Sequence, residues 1–141
     1  MDHIATVRGM YESINSLDIG GFAEHLADNF VEHEATPGLE PTKAGVKKFF
    51  LMQIAAFPDL RFAVEDVYGS GDKVVARVRY TGTNKGDFMG TPATGKRVDV
   101  QLIDMFQFDG NGRVREHWGL IDTAAMMQQL GLMPQAALAG R

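Results

Sequence analysis

The chain has 141 residues, no cysteine, a formal charge of −4 and 45% hydrophobic residues. That length fits one domain with a sizeable core, and the missing thiols exclude disulfide scaffolds, cysteine nucleophiles and cysteine–zinc sites. No dense Lys/Arg cluster marks a nucleic-acid surface, no apolar run reaches the roughly 18–20 residues of a membrane span, and Met1-Asp2-His3-Ile4 lacks a signal-peptide pattern, so a cytoplasmic domain is expected.

Ile4, Val7, Tyr11, Ile14 and Leu17 recur at three- and four-residue steps, which predicts a first helix with Asp2 as its N-cap. Gly20-Gly21 breaks the pattern, and a shorter helix carries Phe22, Ala23 and Leu26 on one side. A third helix is expected from near Pro41-Thr42, burying Val46, Phe49, Phe50, Ile54 and Phe57 and stopped by Pro58. The period then changes to two. Leu60, Phe62 and Val64 alternate with polar neighbours, as do Val74, Ala76, Val78 and Tyr80 after a turn at Gly69-Ser70-Gly71-Asp72. After a long connection, Thr81 to Gly95, a third strand presents Val98, Val100, Leu102, Asp104, Phe106 and Phe108 on one face. Asp109-Gly110-Asn111-Gly112 is a hairpin turn, and its partner strand runs from about Arg113 to Ile121. A last helix covers about Thr123 to Leu130, with Gly131 as its C-cap, and the core ends near residue 133, leaving 134–141 as a loose tail. Helices first, then about four consecutive, mostly antiparallel strands, then a short helix predict a single α+β domain.

Gly90-Thr91-Pro92-Ala93-Thr94-Gly95-Lys96-Arg97 imitates a phosphate-binding loop but places Arg97 where a magnesium-binding hydroxyl belongs, and it opens a strand instead of a helix. It is a surface turn. Asp104 is the most informative residue, because a carboxylate in an apolar row either finds a partner or is pushed toward its neutral form, which suits acid–base chemistry. Counting back from the hairpin brings it near His117-Trp118-Gly119, so an Asp104–His117 pair is expected in one cavity. Glu32-His33-Glu34 alternates if extended, with His33 on one side and both glutamates on the other, and no histidine spacing suits a metal. Asp122 reads as the N-cap of the last helix. Tyr11, Phe88, Met89, Met105 and Trp118 are candidates to line an apolar cavity or to pack as core.

Three blocks then resemble SnoaL-like polyketide cyclases, also called ester cyclase-like proteins: Phe57-Pro58-Asp59-Leu60-Arg61-Phe62, the stretch from Thr81 through Pro92 to Arg97, and Gly112 to Trp118 with Asp122 and Gln129-Leu130-Gly131. They fall in the family's order over nearly the whole chain. The resemblance implies a nuclear transport factor 2-like fold, a curved antiparallel sheet wrapped by N-terminal helices into a cone with a deep pocket, commonly a homodimer through the sheet. It also implies cofactor-free chemistry on a small apolar or aromatic polyketide-like carbonyl compound, in which a carboxylate removes a proton beside a carbonyl. In those cyclases the catalytic aspartate lies two positions after the histidine matching His117, where this chain has Gly119, and a histidine on the preceding strand matches Asp104. Asn84 stands where many relatives have a histidine. Either acid and base have exchanged strands, with Asp104 as base and His117 assisting, or the aldol chemistry is absent. His33, Asn84, Phe88, Met89, Trp118 and Asp122 would then shape the pocket. The competing expectation is a non-catalytic binding module of the same fold, and hydroxylases, isomerases and epoxide hydrolases also occur on it.

Overall fold

Hydrophobic periodicity and capping set the first element. A computed structural model describes residues 2–133, so the expected loose tail at 134–141 lies outside the described residues. Helix α1 (His3–Asn15) starts where the Asp2 carboxylate accepts from the Ala5 amide, and it buries Val7, Met10, Tyr11 and Ile14. It stops two residues before Leu17, which sits half exposed with a left-handed backbone beyond the helix. Helix α2 (Ile19–Ala23) is capped by Asp18, and helix α3 (Lys43–Ala56) by Thr42.

Between α2 and α3 lies a strand the sequence pattern does not reveal, β1 (Leu26–Glu32). Leu26 therefore opens a strand and does not close the second helix. The remaining strands are β2 (Arg61–Ser70), β3 (Lys73–Thr83), β4 (Arg97–Phe108) and β5 (Val114–Ile121), followed by helix α4 (Thr123–Leu130). Gly131 closes α4 in the left-handed conformation at φ 75°, which glycine adopts without a Cβ penalty.

The five strands form one curved, unclosed sheet in the order β1-β5-β4-β3-β2. Strands β2 to β5 are antiparallel neighbours, whereas β1 lies parallel to β5 at the sheet's edge. Alternation divides the two faces. Val74, Ala76, Val78 and Tyr80 on β3 and Val98, Val100, Leu102, Phe106 and Phe108 on β4 are buried on the inner face. A bulge between Val64 and Asp66 turns both Glu65 and Asp66 outward, where the Arg77 guanidinium bonds both carboxylates.

The helices cover the inner face incompletely. Phe49 and Phe50 of α3, expected as core, are only half-buried because they border a cavity of about 430 Å³ between the helices and the sheet. That volume lies within the roughly 300–1,000 Å³ range of small-molecule sites. No helix among the described residues is long and apolar enough to cross a membrane.

Candidate active site

A line of four side chains from four elements crosses the largely apolar cavity wall. On β4, alternation turns Asp104 inward between Leu102 and Phe106. Asp104 lies directly opposite Gly119 of β5, and His117, two residues back on the same face, is its diagonal neighbour. The His117 Nε2 stands 2.8 Å from Asp104 Oδ1. The other carboxylate oxygen accepts a short hydrogen bond from the Tyr11 hydroxyl of α1. On the far side of the imidazole, Nδ1 lies 2.7 and 2.9 Å from the two oxygens of Glu32 at the end of β1. All four groups line the cavity.

This arrangement fixes the protonation of the ring. A neutral imidazole carries one N–H and would turn a bare nitrogen lone pair toward one of the two carboxylates. Burial disfavours a charged imidazole, but the Asp104 and Glu32 carboxylates outweigh it and raise the His117 pKa to about 10. His117 is therefore an imidazolium at neutral pH, donating to Asp104 and to Glu32. Burial first, and then the Asp104 charge, push the Tyr11 hydroxyl well above its usual range, so it remains a donor.

Gly119 is the spatial counterpart of Asp104. A Cβ at position 119 would come 2.7 Å from Asp104 Oδ1 and 2.8 Å from His117 Cε1. The missing side chain leaves room for the carboxylate that reaches across from β4.

The other candidate residues separate into two groups. Phe88 and Met89 line the cavity. His33, Asn84, Trp118 and Asp122 do not, and each has a local reason. Trp118 follows His117 on a strand, so it faces the opposite side of the sheet. There it stacks on His33 at a ring separation of 4.5 Å, and His33 Nε2 lies 3.0 Å from a Glu116 oxygen. Asn84 is buried, but its side chain donates to the Gly86 carbonyl at 2.8 Å and accepts from the Thr94 amide at 2.8 Å. It pins the connection that resembled a phosphate loop, a segment that leads into β4 without a helix. Asp122 accepts from the Ala125 amide at 3.0 Å as the cap of α4. Met105, the neighbour of Asp104 in sequence, likewise lies outside the cavity lining.

Glu32 is the residue sequence reasoning missed. The alternation of Glu32, His33 and Glu34 already set Glu32 and His33 on opposite faces, but only the pairing of β1 with β5 shows which face is inward. Among the described residues, no group of three or more His, Asp or Glu side chains is arranged to hold a metal ion.

The matches to known proteins agree with this architecture. The family model of SnoaL-like polyketide cyclases matches residues 5–130. AclR from Streptomyces galilaeus, provisionally named a hydroxylase, is 30% identical over 94% of this chain and 98% of its own, with a TM-score of 0.84. IdmH from Streptomyces antibioticus, provisionally named a polyketide cyclase, is 31% identical over 93% and 99%, with a TM-score of 0.81. A protein from Jannaschia sp. CCS1, provisionally named a SnoaL-like polyketide cyclase, is 26% identical over 94% and 93%, with a TM-score of 0.80. No curated protein matches the sequence. The fold is the nuclear transport factor 2-like cone that the sequence blocks implied. The chain belongs to the SnoaL-like polyketide cyclase family.

Proposed function

We propose that the cavity is the active site of a cofactor-independent acid–base enzyme acting on a small apolar carbonyl compound of the polyketide type. The observation that carries this reading is the Tyr11–Asp104–His117–Glu32 line, set into a wall otherwise dominated by apolar side chains. Asp104 removes a proton from the carbon beside a carbonyl, and the C–H electron pair becomes an enolate. That carbon attacks a second carbonyl of the same molecule, forming the C–C bond. Asp104, now a carboxylic acid, returns the proton to the resulting alkoxide, so substrate and product are isomers and nothing else is consumed. The His117 cation beside Asp104 offsets the negative charge that develops on oxygen.

Solvent exchange tests the first step directly. In D2O, the protein should exchange the acidic α-protons of a panel of aromatic polyketide-like esters, followed by NMR, and Asp104→Asn should lose that exchange. Normal exchange by Asp104→Asn would sink the assignment.

A non-catalytic binding module is the second reading, favoured by one feature. Both oxygens of Asp104 already accept hydrogen bonds, so a substrate proton must compete there with the Tyr11 and His117 donors. Ligand binding without exchange or conversion would decide for it. A hydroxylase, isomerase or epoxide hydrolase activity is the other alternative, and the provisional naming of AclR is what favours the first of these.

The outer sheet face supports pairing of two copies. Trp118, Met105, Val75 and Tyr68 are register neighbours across β5, β4, β3 and β2, and Tyr68 is 66% exposed. Light scattering of the parent and of Tyr68→Glu tests this: a parent that is monomeric at micromolar concentration refutes it.

A further inference from the structure

We propose that Glu32 is a positioning residue for Asp104, acting through His117: it clamps the ring so that an N–H always faces the Asp104 carboxylate. The inference rests on the reading of Asp104 as the reacting base, and it concerns a residue that never touches the reacting atoms.

The geometry is that of a clamp. Both Glu32 oxygens reach Nδ1, and Glu32 is itself held by the Glu34 amide, which donates to Oε2 at 3.1 Å. Strand pairing sets the register: Glu32 lies beside His117, and the His33 amide donates to the His117 carbonyl at 3.0 Å. Phe106 packs on the ring at 5.0 Å and limits its rotation. The opposite nitrogen then points at Asp104, 2.8 Å away. The titratable groups around the ring are Glu32 from β1, Asp104 from β4 and, beyond Asp104, Tyr11 from α1. Glu34 lines the same cavity.

Removing the Glu32 charge leaves a buried cation with one carboxylate instead of two. The ring then gives up a proton more readily. A neutral ring that keeps its Nδ1–H on residue 32 turns a bare Nε2 toward Asp104, so the donor is replaced by a lone pair. A ring that keeps Nε2–H instead turns a bare Nδ1 toward residue 32, which an amide there satisfies by donating but the Glu32 carboxylate cannot. Glu32 thus selects the one state that serves both contacts.

Nitrogen-15 NMR of the imidazoles reads this without any substrate, with His117 assigned by the signal lost in His117→Gln. In the parent at pH 7.5, both ring nitrogens of His117 should be protonated; one bare nitrogen overturns the proposal. In Glu32→Gln, the His117 midpoint should fall by at least about one pH unit, a tenfold change in proton affinity. Glu32→Asp should recover part of it. With a turned-over substrate, Glu32→Gln should lower kcat by about tenfold or more and shift its pH profile, with KM nearly constant. An unmoved midpoint, or a moved midpoint with an unchanged kcat profile, overturns the role of Glu32. If Glu32→Gln does not fold, the nitrogen pattern of the parent and of Glu32→Asp still decides. Absence of turnover by the parent would refute the acid–base reading alone, because the titration remains readable.

Discussion

Asp104→Asn probes both the chemistry and the packing of the site. The carboxylate accepts from two donors on separate oxygens, the Tyr11 hydroxyl and the His117 Nε2–H. An amide has one acceptor oxygen, so its NH2 must face one of those donors. Tyr11 can turn its hydroxyl to accept from the amide, but that hydrogen then needs a new acceptor in a buried site. A lost hydrogen bond to a charged group costs about 1.5–3 kcal/mol, and an unsatisfied buried donor is in the same range. The substitution also removes one of the two carboxylates that hold the His117 pKa at about 10, so that value must fall. We expect a loss of roughly 2–4 kcal/mol in unfolding free energy, hence a Tm lower by roughly 6–16 °C. Denaturant unfolding at pH 7 measures the first and calorimetry the second. Turnover, if the base assignment holds, should fall by about 10²–10⁴-fold. A variant as stable as the parent, with the His117 signal unmoved, would refute the coupling of these groups. A destabilised variant with full turnover would refute Asp104 as base and leave the packing argument intact.

Further predictions follow from the same geometry. The folded His117 pKa of about 10 exceeds the unfolded value near 6.5. Its contribution to stability is therefore complete below about pH 6.5 and is lost as pH rises toward about 10, at no more than about 1.4 kcal/mol per pH unit; denaturant titrations across that window check the slope, and constant stability from pH 6.5 to 9.5 would be inconsistent with it. Gly119→Ala should cost about 1–3 kcal/mol, since its Cβ would overlap Asp104 and His117, and should disturb the His117 NMR signal; an unchanged Tm contradicts the packing of the pair. Asn84→Ala strands the Thr94 amide and the Gly86 carbonyl, so it should lower stability by about 2–4 kcal/mol while leaving the KM of the remaining folded enzyme unchanged. A selective rise in KM would instead return Asn84 to the binding surface.

What could be read in advance depended on period and punctuation. The inward row of β4 from Val98 to Phe108, with Asp104 inside it, was legible because a strand repeats every two residues. The hairpin at Asp109 to Gly112 then fixed Asp104 against the His117 region by counting. Caps at Asp2, Asp122 and Gly131 were equally visible. Strand β1 was not: its burial does not alternate, Asp28 and Asn29 are both exposed, and its register with β5 shifts between Leu26 and Val31. With β1 hidden, the inward side of Glu32 was hidden too. Trp118 and His33 were misplaced for a related reason, since His117 and Trp118 are adjacent in a strand and only one of them can face the cavity. The bulge at Glu65 reversed the phase of β2, which no simple alternation foresees.

The three bonds of the polar line join residues at very different separations along the chain. Asp104 and His117 are 13 residues apart, Glu32 and His117 are 85 apart, and Tyr11 and Asp104 are 93 apart. The first can form with a single hairpin, whereas the others require α1 and β1 to find the distant β4–β5 hairpin, at a larger loop-closure cost. Folding kinetics of Tyr11→Phe and Glu32→Gln should therefore show φ-values near zero, with higher values for apolar truncations at Phe106 or Val114 in the β4–β5 hairpin. The polar line acts as a clasp between α1 and β1 on one side and the β4–β5 hairpin on the other, and the wall that carries it is completed only when those segments meet.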